Sequence, residues 1–161
     1  MCRVLGSVSA EAVSLRQELL EAEIAYLKGA GVRLVISTMS TRHNLAEYEA
    51  AGLAWHHLPV ASCREGADAL DELLPLLRRE LRKRGALAVH GNRYTDFVAA
   101  VCAAHVHEAR GVPVEKALEE ASAAGLAVTP EAAALLGADY EAVQPRSRMA
   151  SSTASGRSVT T

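Results

Sequence analysis

One segment of the chain, residues 86–100, places a short apolar run, a tight polar turn and an Ala-rich stretch one after another. The run Ala86–His90 is apolar up to its last residue, which predicts a buried strand. Gly91 opens the turn, and the residues from Thr95 onward have a helical pattern. Such a turn brings the N–H groups of a helix N-terminus to the end of a strand, where they can bind an anion. The segment therefore predicts an α/β protein with a candidate anion site at residues 90–96.

The rest of the chain alternates strand and helix patterns in the same way. Besides Ala86–His90, apolar runs predict strands at Val4–Val8, Val32–Ser37 and Leu53–Val60. Helical spacing of apolar residues predicts helices over residues 11–28, 44–51, 68–84, 95–110, 114–124 and 130–136. Alternating strands and helices favour a central, mostly parallel sheet, here of about four strands, flanked by helices. Ligands bind such sheets beyond the carboxyl ends of the strands, and the turn after His90 lies at such an end.

Composition narrows the class of protein. The 161 residues have the size of one domain, and 50% are apolar while only 4% are aromatic, so Ala, Leu and Val must fill the core. We predict one domain over residues 1–145 and a disordered Ser/Thr-rich tail over residues 146–161. A net charge of −2 without a basic field argues against nucleic acid or an anionic membrane as partner.

The predicted location is the cytoplasm. No apolar run has the length of a membrane span, and the first residues lack the apolar core of a signal peptide. The three cysteines, Cys2, Cys63 and Cys102, form no CxxC pair, and their odd number fits a reducing compartment better than a disulfide framework.

Residues 86–100 resemble the active-site region of the dual-specificity phosphatases, which belong to the cysteine-dependent tyrosine phosphatase superfamily. That family's pattern is an apolar strand, His-Cys, five residues, Arg, Ser or Thr, and an Ala-rich helix; the strand, His90, Thr95 and the helix are present here. Four further segments are similar to segments of the family, namely residues 3–7, 23–37, 48–60 and 111–118. The resemblance therefore covers most of residues 3–137. It implies the family's α/β fold, with a Cys nucleophile, an Arg that clamps the phosphoryl oxygens and an Asp general acid.

The nucleophile and its loop depart from the pattern. Gly91 occupies the position of the nucleophile. Only Asn92, Arg93 and Tyr94 separate it from Thr95, where the family has six residues. Tyr94 stands where the resemblance places the clamping Arg, and Arg93 comes one residue early. A phosphate nest needs several converging N–H groups, so we expect this turn to be too short to wrap a phosphoryl group.

The acidic residues depart from the pattern as well. No Asp occurs in residues 58–66, where the resemblance places the general acid, and the nearest one, Asp68, is predicted to cap the next helix. We expect Asp96 in the first turn of its helix, where its charge suits the helix dipole and repels a phosphate. His90 is interpreted as a hydrogen-bonded structural imidazole. The sequence thus predicts a catalytically inactive, phosphatase-like protein without a cofactor, which binds a protein or a small phosphorylated ligand.

Two enzyme interpretations stay open. Cys63 adjoins Arg64, which could lower the thiol pKa and make it reactive in a divergent phosphatase; an ordinary exposed loop thiol is the alternative. The first residues, Met1 to Gly6, resemble the start of class II glutamine amidotransferases, in which Cys2 becomes the nucleophile once Met1 is removed. That second resemblance covers about the first twenty residues and nothing after them.

We predict no metal site. His56 and His57 are adjacent in a predicted strand and therefore face opposite sides of the sheet. His105 and His107 are two residues apart in a predicted helix, whereas ligand pairs on a helix usually lie at i and i+4.

Overall fold

The computed structural model describes residues 10–91 and 96–143, with side chains described from residue 17 onward. Within this part of the chain, three parallel strands form one sheet in the order β2-β1-β3. They are β1 (Leu34–Ser37), β2 (Ala54–His57) and β3 (Leu87–His90). The α/β class and the parallel sheet are confirmed, while the strand expected at Val4–Val8 lies outside the described residues.

Helices connect the strands and follow the last one. They are α1 (Ala10–Gly29), α2 (Leu45–Ala50), α3 (Ala67–Arg84), α4 (Phe97–Arg110), α5 (Val114–Ala123), α6 (Pro130–Leu135) and α7 (Tyr140–Val143). A single 3₁₀ turn, Cys63–Glu65, precedes α3. The predicted helices match α1 to α6 to within about two residues, whereas α7 and the 3₁₀ turn were not predicted.

The two faces of the sheet carry different layers. Side chains alternate between faces along each strand, so Leu34 and Ile36 point to one side and Val35 to the other. The first pair packs with α3 and α4 residues such as Leu73 and Phe97. Val35 packs with Leu27 of α1 and with α2, so the sheet has helices on both faces, as predicted.

The strand β2 is shorter than the predicted Leu53–Val60 and ends two residues before Pro59. Proline has no N–H to donate, and in an edge strand that missing group is tolerated on the side that faces away from the neighbouring strand. The chain nevertheless stays beside β1, since the N–H of Leu58 donates to the carbonyl of Ser37 (2.9 Å) and that of Val60 to the carbonyl of Thr38 (3.0 Å). Residues 58–60 therefore continue along the edge of β1 and lead into the loop before α3.

The helix α4 lies at the centre of the second layer and packs against α3, α5 and α6. Its side chains are small and mostly buried, among them Ala99, Ala100, Val101 and Ala103. Alanine and valine let neighbouring helices approach closely, which is how a chain with few aromatic residues still fills its core. The helix begins directly after the turn that follows β3, so its packing fixes one side of the candidate site.

Candidate functional site

The carboxyl ends of the three strands meet in one row. Ser37 of β1 lies directly between His57 of β2 and His90 of β3 in the register of the sheet. Paired residues of parallel strands point to the same face, so these three side chains share the α1–α2 side. The loops after the strands, residues 38–44, 58–66 and 91–96, therefore start from one edge, where ligands of parallel α/β sheets bind.

His90 ends β3 and is held at this edge by its neighbours. Its carbonyl accepts hydrogen bonds from the Thr38 N–H (2.8 Å) and the Thr38 Oγ1 (3.1 Å). Its ring meets the Tyr48 ring edge-on, at 5.9 Å between centroids and 88° between planes. Burial, and then the neighbouring His43, lower the pKa of His90. The imidazole was predicted to be hydrogen-bonded, whereas its Nε2 atom is buried without a hydrogen-bond partner in the described part of the chain.

Gly91 follows His90 directly and is half-buried. The next four residues of the candidate turn, Asn92, Arg93, Tyr94 and Thr95, lie outside the described residues. The sequence order alone therefore places a glycine, at the end of β3, in the position that the resemblance assigns to the nucleophilic cysteine.

Asp96 differs from the expectation. It is the N-cap residue of α4 rather than part of the first turn, and its side chain does not cap the helix. Only 9% of the residue is exposed. The carboxylate accepts hydrogen bonds from the Thr129 hydroxyl and from the Cys63 thiol. Asp96 thus joins the start of α4 to the start of α6 and to the 3₁₀ turn, a structural role that the sequence analysis missed.

Cys63 is likewise corrected by the structure. It is 2% exposed, so it is not an exposed loop thiol. Burial raises the pKa of Cys63, and the hydrogen bond to Asp96 and the charge of that carboxylate raise it further. Arg64 lies 80% exposed and pairs with Glu131 at 3.4 Å. In the divergent-phosphatase interpretation Arg64 would lower the pKa of the Cys63 thiol, whereas the surroundings of Cys63 raise it and favour the protonated thiol, which is a poor nucleophile.

The loop between β2 and α3 has no acid in the expected place. Residues 58–66 contain Glu65 but no Asp. The prediction that Asp68 caps the next helix is wrong, because α3 begins at Ala67 and its N-cap residue is Gly66. Gly66 is buried, and a Cβ added there would come within 2.7 Å of the Phe97 ring. The loop is therefore packed tightly against the first turn of α4.

The remaining histidines do not form a site together. The His56 side chain points to the face of the sheet opposite to that of His57, the α3 side, where it lies in register with Ile36 and Val89. Its Nε2 is 3.8 Å from the Glu72 carboxylate. His107 contacts the carbonyl of Val112 through Nδ1 (2.7 Å). Among the described residues, no three His, Cys, Asp or Glu side chains are arranged to hold a metal ion. Nor does any helix there have the length and hydropathy needed to cross a bilayer.

No protein-family model and no curated protein matches the sequence. Solved structures do match the fold. The active form of Tk-PTP aligns with a TM-score of 0.62 over 84% of this chain and 86% of its own, at 17% identity. Human DUSP28 aligns at 0.60 over 74% of this chain and 80% of its own, at 23% identity. TpbA from P. aeruginosa, in a complex with phosphotyrosine, aligns at 0.62 over 76% of each chain, at 21% identity.

The chain has a cysteine-dependent phosphatase-like fold. The predicted resemblance is thereby confirmed at the level of the fold. The turn that resembles the family's active-site loop lies between the end of β3 and the start of α4. His90 and Gly91 precede this turn, and Asp96 follows it.

Proposed function

We propose that this chain is a non-catalytic phosphatase-like protein that acts by binding a protein or a small phosphorylated ligand. The observation that carries the proposal is the glycine at position 91, directly after the last residue of β3. Phosphoryl transfer to this class of enzyme needs a thiolate at that place, and a glycine has no side chain to attack.

The other cysteines support the same proposal. Cys63 is buried, and its surroundings hold the proton on sulfur. Cys102 lies inside α4, beyond its first turn, and is half-buried. Cys2 lies outside the described residues, so the amidohydrolase alternative depends on its sequence resemblance alone.

The proposal also concerns anions at the turn. An exposed helix N-terminus contributes about 0.3–1 kcal/mol to a nearby anion, and one exposed ion pair, such as Arg93 could form, about as much. The Asp96 carboxylate at the same helix start opposes both contributions. We therefore expect free phosphate to bind in the millimolar range at best, which means that a physiological ligand is recognised through further surfaces.

Turnover of an aryl phosphate by the purified protein tests the proposal. We expect none above the uncatalysed rate, and the same result for Cys63→Ser and Cys2→Ser. Vanadate-sensitive turnover that survives Cys2→Ser and is lost in Cys63→Ser would establish the divergent enzyme instead. Glutamine hydrolysis that is lost in Cys2→Ser would establish the amidohydrolase.

A phosphate titration followed by amide chemical shifts of residues 90–97 tests the binding argument separately. We expect small shifts that do not saturate below about millimolar phosphate. Saturation at micromolar phosphate that disappears in Arg93→Ala would contradict the argument.

A further inference from the structure

The row at the carboxyl edge contains two buried polar atoms without partners. Ser37 is fully buried, and its Oγ has no hydrogen-bond partner within the described chain. The same holds for Nε2 of His90, the residue paired with Ser37 in the sheet. Buried polar atoms are nearly always bonded, so two neighbouring exceptions mark a place that is costly to maintain.

One side of the His90 ring is covered by an uncharged side chain, the edge-on ring of Tyr48, which is 1% exposed. The Tyr48 hydroxyl donates to the Glu23 carboxylate (3.4 Å), and burial, followed by the charge of Glu23, raises the pKa of Tyr48 to about 12. The Glu23 carboxylate of α1 therefore bonds the Tyr48 hydroxyl. Because its pKa is about 12, Tyr48 stays neutral at any ordinary pH.

Among the described residues, groups near His90 that can be positive come from the loop after β1 and from β2. His43 lies in the loop after β1 and lowers the pKa of His90 through its charge. His57 of β2, two strands away in the same row, contacts the Met39 carbonyl through Nε2 (2.8 Å). Arg42 of the same loop lies over the Trp55 ring, with 5.6 Å between its guanidinium carbon and the ring centroid. A proton on His90 would therefore place a buried positive charge beside His43.

We propose that Ser37, His90 and Tyr48 form a proton-sensitive latch, which holds the carboxyl end of β3 between β1 and α2 only while the His90 ring is uncharged. Charging the ring favours its release into solvent, because a buried ion without a partner is strongly unfavourable. The Thr38 N–H and hydroxyl both bond the His90 carbonyl, so the release also loosens the loop that follows β1.

The direction of the pH effect follows from linkage. The pKa of His90 in the folded protein lies below the ordinary value of 6.5. The latched state is thus fully favoured above about pH 6.5, loses stability as the pH falls toward the lowered pKa, and loses no more from this group below it.

Trp55, the single tryptophan, reports on the latch because it lies on the same face of the sheet as the row. We expect its emission to change between about pH 7.5 and about pH 5 while the far-ultraviolet circular dichroism stays constant. The change should be absent in His90→Gln, which keeps a polar side chain but cannot be charged. It should persist in the matched control His56→Gln, the neighbouring histidine on the opposite face.

An NMR titration of the imidazole carbons provides the second measurement. His90 should titrate below pH 6.5, together with the Trp55 change. In His43→Gln its pKa should rise and the Trp55 change should shrink, a test that remains available if His90→Gln does not fold. An unchanged acid response in His90→Gln, or a His90 pKa unaffected by His43→Gln, would overturn the proposal.

Discussion

Thr129 offers the sharpest test of how the region around the candidate site is held together. Its Oγ1 accepts a hydrogen bond from the Ala132 N–H (3.1 Å), which caps α6, and donates one to the Asp96 carboxylate. Thr129→Val has nearly the same shape but makes neither bond. The matched variant Thr129→Ser keeps the oxygen and loses only a methyl group.

The expected cost of Thr129→Val combines both contacts. Losing an N-cap hydroxyl costs about 1 kcal/mol, and removing a donor from a charged, buried acceptor costs about 1.5–3 kcal/mol. Because one hydroxyl makes both contacts, we expect about 2–4 kcal/mol in the free energy of unfolding. Thr129→Ser should cost less than about 1 kcal/mol, the value of one buried methyl group.

Equilibrium unfolding in urea measures the difference. The midpoint should fall in Thr129→Val with an unchanged dependence on denaturant, and the melting temperature should fall by about 2–4 °C for each kcal/mol. Equal stability of the Val and Ser variants, within about 0.5 kcal/mol, would refute the role of the hydroxyl and leave Asp96 to be stabilised in another way.

Three further outcomes are expected. Gly66→Ala should destabilise the protein by about 1–3 kcal/mol in the same urea assay, since its Cβ would lie 2.7 Å from the fully buried ring of Phe97. The control Gly29→Ala has open space around its Cβ and should stay within about 1 kcal/mol of the parent. Cys63 should be alkylated at least about 100-fold more slowly in the folded protein than in urea, as measured by peptide mass spectrometry, and equal rates would contradict its burial. Gly91→Cys alone should create no phosphatase activity, because a nucleophile needs oriented donors around the phosphoryl group; a trapped phosphocysteine would contradict the argument from the length of the turn.

Local patterns predicted the elements of the described chain well. The β-branched run of β1 and the apolar spacing of α3 are properties of neighbouring residues, and glycines at positive φ, such as Gly85 and Gly111, end helices by a local mechanism. The short helix α7 has too few residues for a periodic pattern to emerge.

Contacts between distant residues could not be predicted in the same way. The cap that Thr129 makes to Ala132 joins residues three positions apart, but its bond to Asp96 joins residues 33 positions apart. Cys63 stands among polar residues typical of an exposed loop, and it is buried only because its turn packs against α3 and α6 in the same core as Phe97 of α4. The surroundings that set the chemistry of a thiol or carboxylate are thus products of the tertiary structure.

The central position of α4 limits which substitutions this protein can accept. Ala100, Ala103 and Ala104 are almost fully buried between neighbouring helices, so any larger side chain there would push α3, α5 or α6 apart. The buried face of the helix that supports the candidate turn is therefore closed to larger side chains. New binding specificities have room to arise in the loops at the carboxyl edge, where length and charge can vary without disturbing the layer of small residues beneath them.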